Sequence, residues 1–162
     1  MKRQCHCKVL ALVLLAFLVL AVSPSTGNAE DFFDSQSKAL KIIDGTLAEG
    51  MSYGHYGLVM KTVQFMQIGE SGKDAPTRLM MNKVAWYNAV NGHRMLDGML
   101  QSVQNPDTRR DIMNLMKLFD SSMTTLGKRF GWNSATTTTM HNKTRALIEA
   151  RISELRQTAF SH

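Results

Sequence analysis

Cysteine is confined to the first few positions of the chain: Cys5 and Cys7 are the only two among 162 residues. Everything after them lacks a disulfide, a thiol nucleophile and a thiolate metal ligand, and without a Cys-x-x-Cys-His run it cannot attach c-type haem. Proline is nearly as scarce, with three in all, so little interrupts a long helix. Charge of one sign is not gathered into runs; cations and acids alternate, which argues against a nucleic-acid partner. There is no G-x-S-x-G elbow, no phosphate loop and no paired-carboxylate motif, so the chain is not expected to be an enzyme. Asp107 and Asp111 are spaced i, i+4, but they occupy a helix first turn, where the helix dipole accounts for them.

What is present begins with a leader. Lys2, Arg3 and Lys8 flank the start of the apolar run Val9 to Val22, and Gly27-Asn28-Ala29 supplies a small-residue cleavage site, the pattern of a secretory signal peptide. The run is shorter than the roughly 20 residues of a membrane span. We therefore expect residues 1–29 to be a signal peptide and 30–162 a single helical-bundle domain, periplasmic or secreted. No stable membrane span is expected after cleavage. Loss of Lys2, Arg3 and Lys8 lowers the formal charge from +6 to +3. The cysteine-free mature chain must then rely on an ordinary core.

Between the punctuating residues the apolar period is helical. Asp74-Ala75-Pro76 and Asn105-Pro106-Asp107 each pair an N-cap with proline in the first turn, and Gly131 follows the basic turn Lys128-Arg129-Phe130, as a C-cap does. Helix one is expected from about Phe33 to Ile68, along the stripe Leu40, Ile43, Leu47, Met51, Gly54, Leu58, Thr62, Phe65. Gly45, Gly50, Gly54 and Gly57 all fall inside it, and a break is expected near Gly45 to Gly50. Helix two follows from Ala75 to Gln104, and helix three from Pro106 to Phe130. Helix four begins near Ser134, or later because the run Thr136 to Thr139 is β-branched; its stripe is Met140, Leu147, Ile148, Ile152, Leu155. Short connections favour an all-α, antiparallel up-down-up-down four-helix bundle.

Some features could carry chemistry. The spacing Gly50-x-x-x-Gly54-x-x-Gly57 allows close approach, by packing, at a hinge or to a ligand. The chain is methionine-rich, with twelve in all, which suits an adaptable core, a plastic pocket or a soft-metal site. Past the leader the histidines are His55, His93, His141 and His162, with no i, i+4 pair and hence no helical zinc motif; His141 and His162 read as surface or terminal residues. Counting at about 1.5 Å per residue from each turn puts Met51 opposite His93, with Met116 and Ile148 near the same height. Gly50, Met51, Gly54, His93, Arg94, Met116 and Ile148 then form one mid-bundle layer. A cation there needs solvent, a partner or an anion.

The stretch Asn88-x5-Arg94-Met95-Leu96, with Leu100 beyond it, resembles the helical motif of the PilJ-type N-terminal domain of type IV pili methyl-accepting chemotaxis transducers. A related motif occurs in the periplasmic domains of nitrate/nitrite sensors. The resemblance covers about fifteen residues. It implies a helical bundle in which Arg94 contacts an anion, with Asn88 as a motif position. The chain departs from the motif at Val90-Asn91, where a small Ala-Gly pair is expected, and at Met99, where a second cation is expected.

These observations converge on a non-enzymatic, exported helical-bundle binding module, sensor-like or accessory, for a small anionic ligand or a periplasmic protein. The expected ligand-binding residues are Arg94, His93, Asn88, Gly50 and Gly54, and a homodimer is compatible. One alternative is a b-type haem or soft-metal bundle using His93 with Met51 or Met116. Another is a structural or inhibitory partner-binding protein. No cofactor is required by the leading reading.

Overall fold

The computed structural model describes residues 31–33 and 36–161; the expected leader lies outside them. A single 3-10 turn, Asp31–Phe33, precedes four helices: α1 Gln36–Ser71, α2 Ala75–Ser102, α3 Pro106–Arg129 and α4 Ser134–Phe160. They pack as an all-α bundle, with no strand among the described residues. The expected helix starts are in place. Asp74 accepts the amide of Thr77, Asn105 accepts those of Asp107 and Thr108, and each is followed by proline in the first turn. Gly131, at φ 76°, closes α3. Trp132 N donates to Gly127 O and Gly131 N to Lys128 O, a Schellman stop that turns Trp132 back toward the core.

Helix α4 begins without delay at Ser134, contrary to the expectation drawn from its threonines. Asn133 Oδ1 accepts the Thr136 amide at 2.8 Å, and the hydroxyls of Thr137, Thr138 and Thr139 each donate to the carbonyl four residues back. The β-branched run thus satisfies its own hydroxyls along the helix. Only Met140, Thr144 and Ile148 of α4 are buried; Leu147 and Leu155, expected on the same stripe, are exposed.

Helix α1 holds the largest departure. It is broken, but at Gly54 rather than at Gly45 or Gly50. Gly54 has φ 64° and ψ −165°, a conformation that an L side chain rarely adopts. The chain turns back there. Glu49 Oε1 lies 3.7 Å from Lys61 Nζ, twelve positions apart, whereas a straight helix would separate them by roughly 18 Å. Two further contacts close the fold: a Cβ at Gly50 would lie 3.3 Å from Leu58 Cδ1, and Tyr53 packs directly on Gly57. Hence α1 is an elbow with arms 36–53 and 55–71, both set against α2.

The two arms run past α2 in opposite senses. Along the second arm, Gly69 meets Asn82. Along the first, Thr46 and Gly50 meet Asn91, while Phe32, ahead of the arm, stacks on Tyr87 at 6.1 Å. Helix α3 approaches from another side, with Phe119 in the space left by Gly92. Consequently α2 is enclosed without a break from Ala85 to Gly92. Four aromatics gather at one end: Phe32, Trp86, Phe130 and Trp132 lie with ring centroids 4.7–6.4 Å apart, and Lys83 Nζ sits 5.3 Å from the Phe32 ring.

The elbow makes a paired prediction for urea unfolding. Gly54→Ala forces a side chain into positive φ and destabilises the protein by about 1–2 kcal/mol. Gly45→Ala, helical with open space around its Cβ, stabilises it by about 0.5–1 kcal/mol. Equal effects at the two positions would contradict a reversal at Gly54.

Candidate functional site

The middle of α2 does not gather the expected site residues on one face. Gly50 lies against Asn91 and Met95, but on an arm of α1 that runs in the sense opposite to the one the count assumed. Direction was not captured. Met51 is 89% exposed on the outside of the elbow, so the expected pairing with His93 does not form. Met116 is half-buried against the core and Ile148 is fully buried. With Met51 outside, the haem reading keeps only Met116 as a sulfur within the bundle. Among the described residues no group of three His, Cys, Asp or Glu side chains is placed to hold a metal ion.

The glycines expected to give access are accounted for differently. A Cβ at Gly50 would come within 3.1 Å of Met95 Sδ and 3.2 Å of Asn91 Nδ2, so that side is filled by protein. Gly54 is the vertex and faces open space. Neither lines a route to Arg94.

Arg94 is half-buried, and Asn91 holds it. Its Nε and Nη2 donate to Asn91 Oδ1 at 3.2 and 2.9 Å, while Asn91 Nδ2 donates to Thr46 O at 3.1 Å. A neutral amide therefore ties the guanidinium to the first arm of α1, and no carboxylate of the described residues pairs with it. Burial pulls the Arg94 pKa below its ordinary value, nearby Arg145 and Arg156 add to this, and Glu149 opposes it. Of the other cations on that side, Arg145 is committed to Asp97 and Glu149, and Arg151 to Asp44 and Glu154. Asn91, a departure from the sensor motif, thus occupies the two-pronged edge by which Arg94 would grip an anion.

Asn88 is 1% exposed, and neither its Oδ1 nor its Nδ2 has a hydrogen-bond partner. Next to it the Tyr87 hydroxyl is likewise buried and unpartnered, and burial raises its pKa to about 12. Polar groups desolvated without compensation weaken a core.

His93 faces the opposite side from Arg94's partner. Its Nε2 lies 3.4 Å from Asp120 Oδ1, and its ring meets that of His141 edge to face, with centroids 5.3 Å apart. His141, expected at the surface, is therefore half-buried between α2 and α3. Burial, with His93 and Arg145 adding to it, lowers its pKa, and Asp120 opposes. The level count gave no signal for it, because carried through the last turn it reached Ile148, two helical turns further along α4. His141 also lines an open cleft of about 360 Å³ with Asp120, Met123, Lys128, Trp132 and Thr137.

No family model, curated protein or solved structure matches this chain.

The buried amide is directly testable. Asn88→Leu keeps the volume and removes two unpartnered polar atoms, so the urea midpoint should rise, by about 1 kcal/mol or more in stability. A fall of similar size would show that the amide is satisfied by something the fold needs.

Proposed function

We propose that this protein is a non-enzymatic binding module of an exported compartment, and that it engages another protein through the elbow of α1. The observation that carries this is the cluster of large apolar side chains left in solvent around Gly54. Met51, Tyr53, Tyr56 and Met60 are each more than three-fifths exposed, at 89%, 67%, 64% and 71%, and Val63 continues the cluster at 45%. Scattered exposed apolar residues are ordinary; tyrosine and methionine gathered at a projecting vertex mark an interaction surface. The middle of α2 supports the same reading, because Asn88 and Asn91 are buried under the packing helices and out of reach of solvent.

The elbow is also held in shape. Tyr53 rests on Gly57, Tyr56 packs on the His55 ring with centroids 4.4 Å apart, and the Glu49–Lys61 pair ties the arms. A surface that is already ordered loses little conformational entropy on binding. An apolar groove on the partner would take the two tyrosines as anchors.

A second reading rests on Arg94, whose charge meets no carboxylate. A small oxyanion on its remaining N–H groups would compensate that charge. On this reading nitrate or phosphate raises the melting temperature of the native protein and not of Arg94→Gln.

The elbow reading predicts a clear separation of variants. A photo-crosslinking residue at position 56 in the native host should trap one defined protein. The triple change of Met51, Met60 and Val63 to Ser in that background should abolish the product while leaving the stability from urea unfolding within about 0.5 kcal/mol. Arg94→Gln should leave it intact. Crosslinks that persist in the triple variant would remove the elbow from the function.

A further inference from the structure

Helix α4 is the element most weakly held. Its buried residues are Met140, Thr144 and Ile148 alone, and its polar ties to α2 are few. Trp86 Nε1 donates to Thr144 Oγ1 at 2.9 Å, and Arg145 pairs with Asp97 at 2.8 Å. Between those ties and the N-terminal end of α4 stands the His93–His141 contact. We propose that this contact is an acid-sensitive latch, whose protonation releases α4 from α2 and α3 and opens the cleft that His141 lines.

The geometry sets up the conflict. His93 Nδ1 and His141 Nε2 are buried without a hydrogen-bond partner, so an added proton on either is not met by an acceptor there. The one carboxylate at the junction, Asp120 of α3, lies 3.4 Å from His93 Nε2 and is 57% exposed. The other charged groups that converge on it do not favour a second cation. On α4, Arg145 is one turn from His141, and Glu149 is occupied by Arg145. On α2, Asp97 is occupied by the same arginine. On α3, Lys128 lines the far side of the cleft. No acid of α1 bears on it, and Asp44 and Glu49 pair with Arg151 and Lys61. Two protonated rings at 5.3 Å between centroids repel in a partly desolvated site.

The sign follows from His141. Docked α4 holds this imidazole neutral, chiefly by burial, whereas a released α4 returns it to water with an ordinary pKa near 6.5. Proton uptake therefore favours the released state. Docking is intact above about pH 6.5 and is lost progressively below it. Local opening of one helix is ordinary behaviour for an element with so few buried contacts.

Hydrogen exchange on the intact protein, corrected for the intrinsic pH dependence of amide exchange, tests this. Protection of amides 140–148 should fall by up to about tenfold per pH unit below about pH 6.5, while amides 83–92 of α2 keep theirs. His141→Asn should flatten the dependence. Asp120→Asn, at an exposed position, removes the carboxylate that favours protonated rings and should deepen it. Constant α4 protection between pH 7.5 and 5, a full slope in His141→Asn, or a failure of Asp120→Asn to deepen the loss would each overturn the latch.

Discussion

The reversal at Gly54 is the constraint from which the rest of the arrangement follows. A continuous helix of 36 residues would be roughly 54 Å long and would leave much of its apolar stripe beyond the reach of α2. Folding it in half lays two short arms against α2, which with α3 bury that helix from Ala85 to Gly92. It also delivers Thr46 and Gly50 to Asn91, and through Asn91 it places Arg94. The same turn has an outward consequence. Residues just before and after the vertex cannot all face inward, and Met51, Tyr53, Tyr56 and Met60 are left in solvent. One glycine with positive φ thus produces both the sealed interior and the apolar projection.

Much of this was legible beforehand, and the limits have physical reasons. The starts of α2 and α3 were readable because capping residues and proline act locally, through the orphan amides of one turn. The stop at Gly131 was readable for the same reason. The elbow was not, because four glycines offered break points and the apolar period passes through Gly54 without a visible change of phase. Only tertiary contact decides which glycine bends. Local rules also misjudged the threonines of α4, since their hydroxyls find carbonyls within the helix once Asn133 has capped it.

The candidate site shows the same division. The half-burial of His93 and Arg94 follows from their place on an enclosed helix, whereas heights counted along an unbroken first helix lost their meaning once it doubled back. Azimuth could not be counted. Met51 pointed outward because its arm runs in the opposite sense to the one assumed, and His141 turned inward because α4 crosses α2 at His93. The aromatic cluster was invisible for a simpler reason: Phe32, Trp86, Phe130 and Trp132 come from distant parts of the chain, and only the fold unites them. Asn91, which looked like a flaw in a motif, proved to be the residue that holds Arg94 in place.

The central claim is the doubled first helix, and a single distance decides it. Nitroxide labels at Lys41 and Gln67 stand thirteen positions either side of Gly54, both exposed, and no cysteine beyond Cys7 competes for labelling once Cys5 and Cys7 are replaced. The elbow places them on neighbouring arms, with helix axes about 10 Å apart and the labels within about 25 Å. A straight helix separates the same positions by about 39 Å. A spin–spin distance in the shorter range is what the elbow predicts, and a distribution centred near the longer one would contradict it.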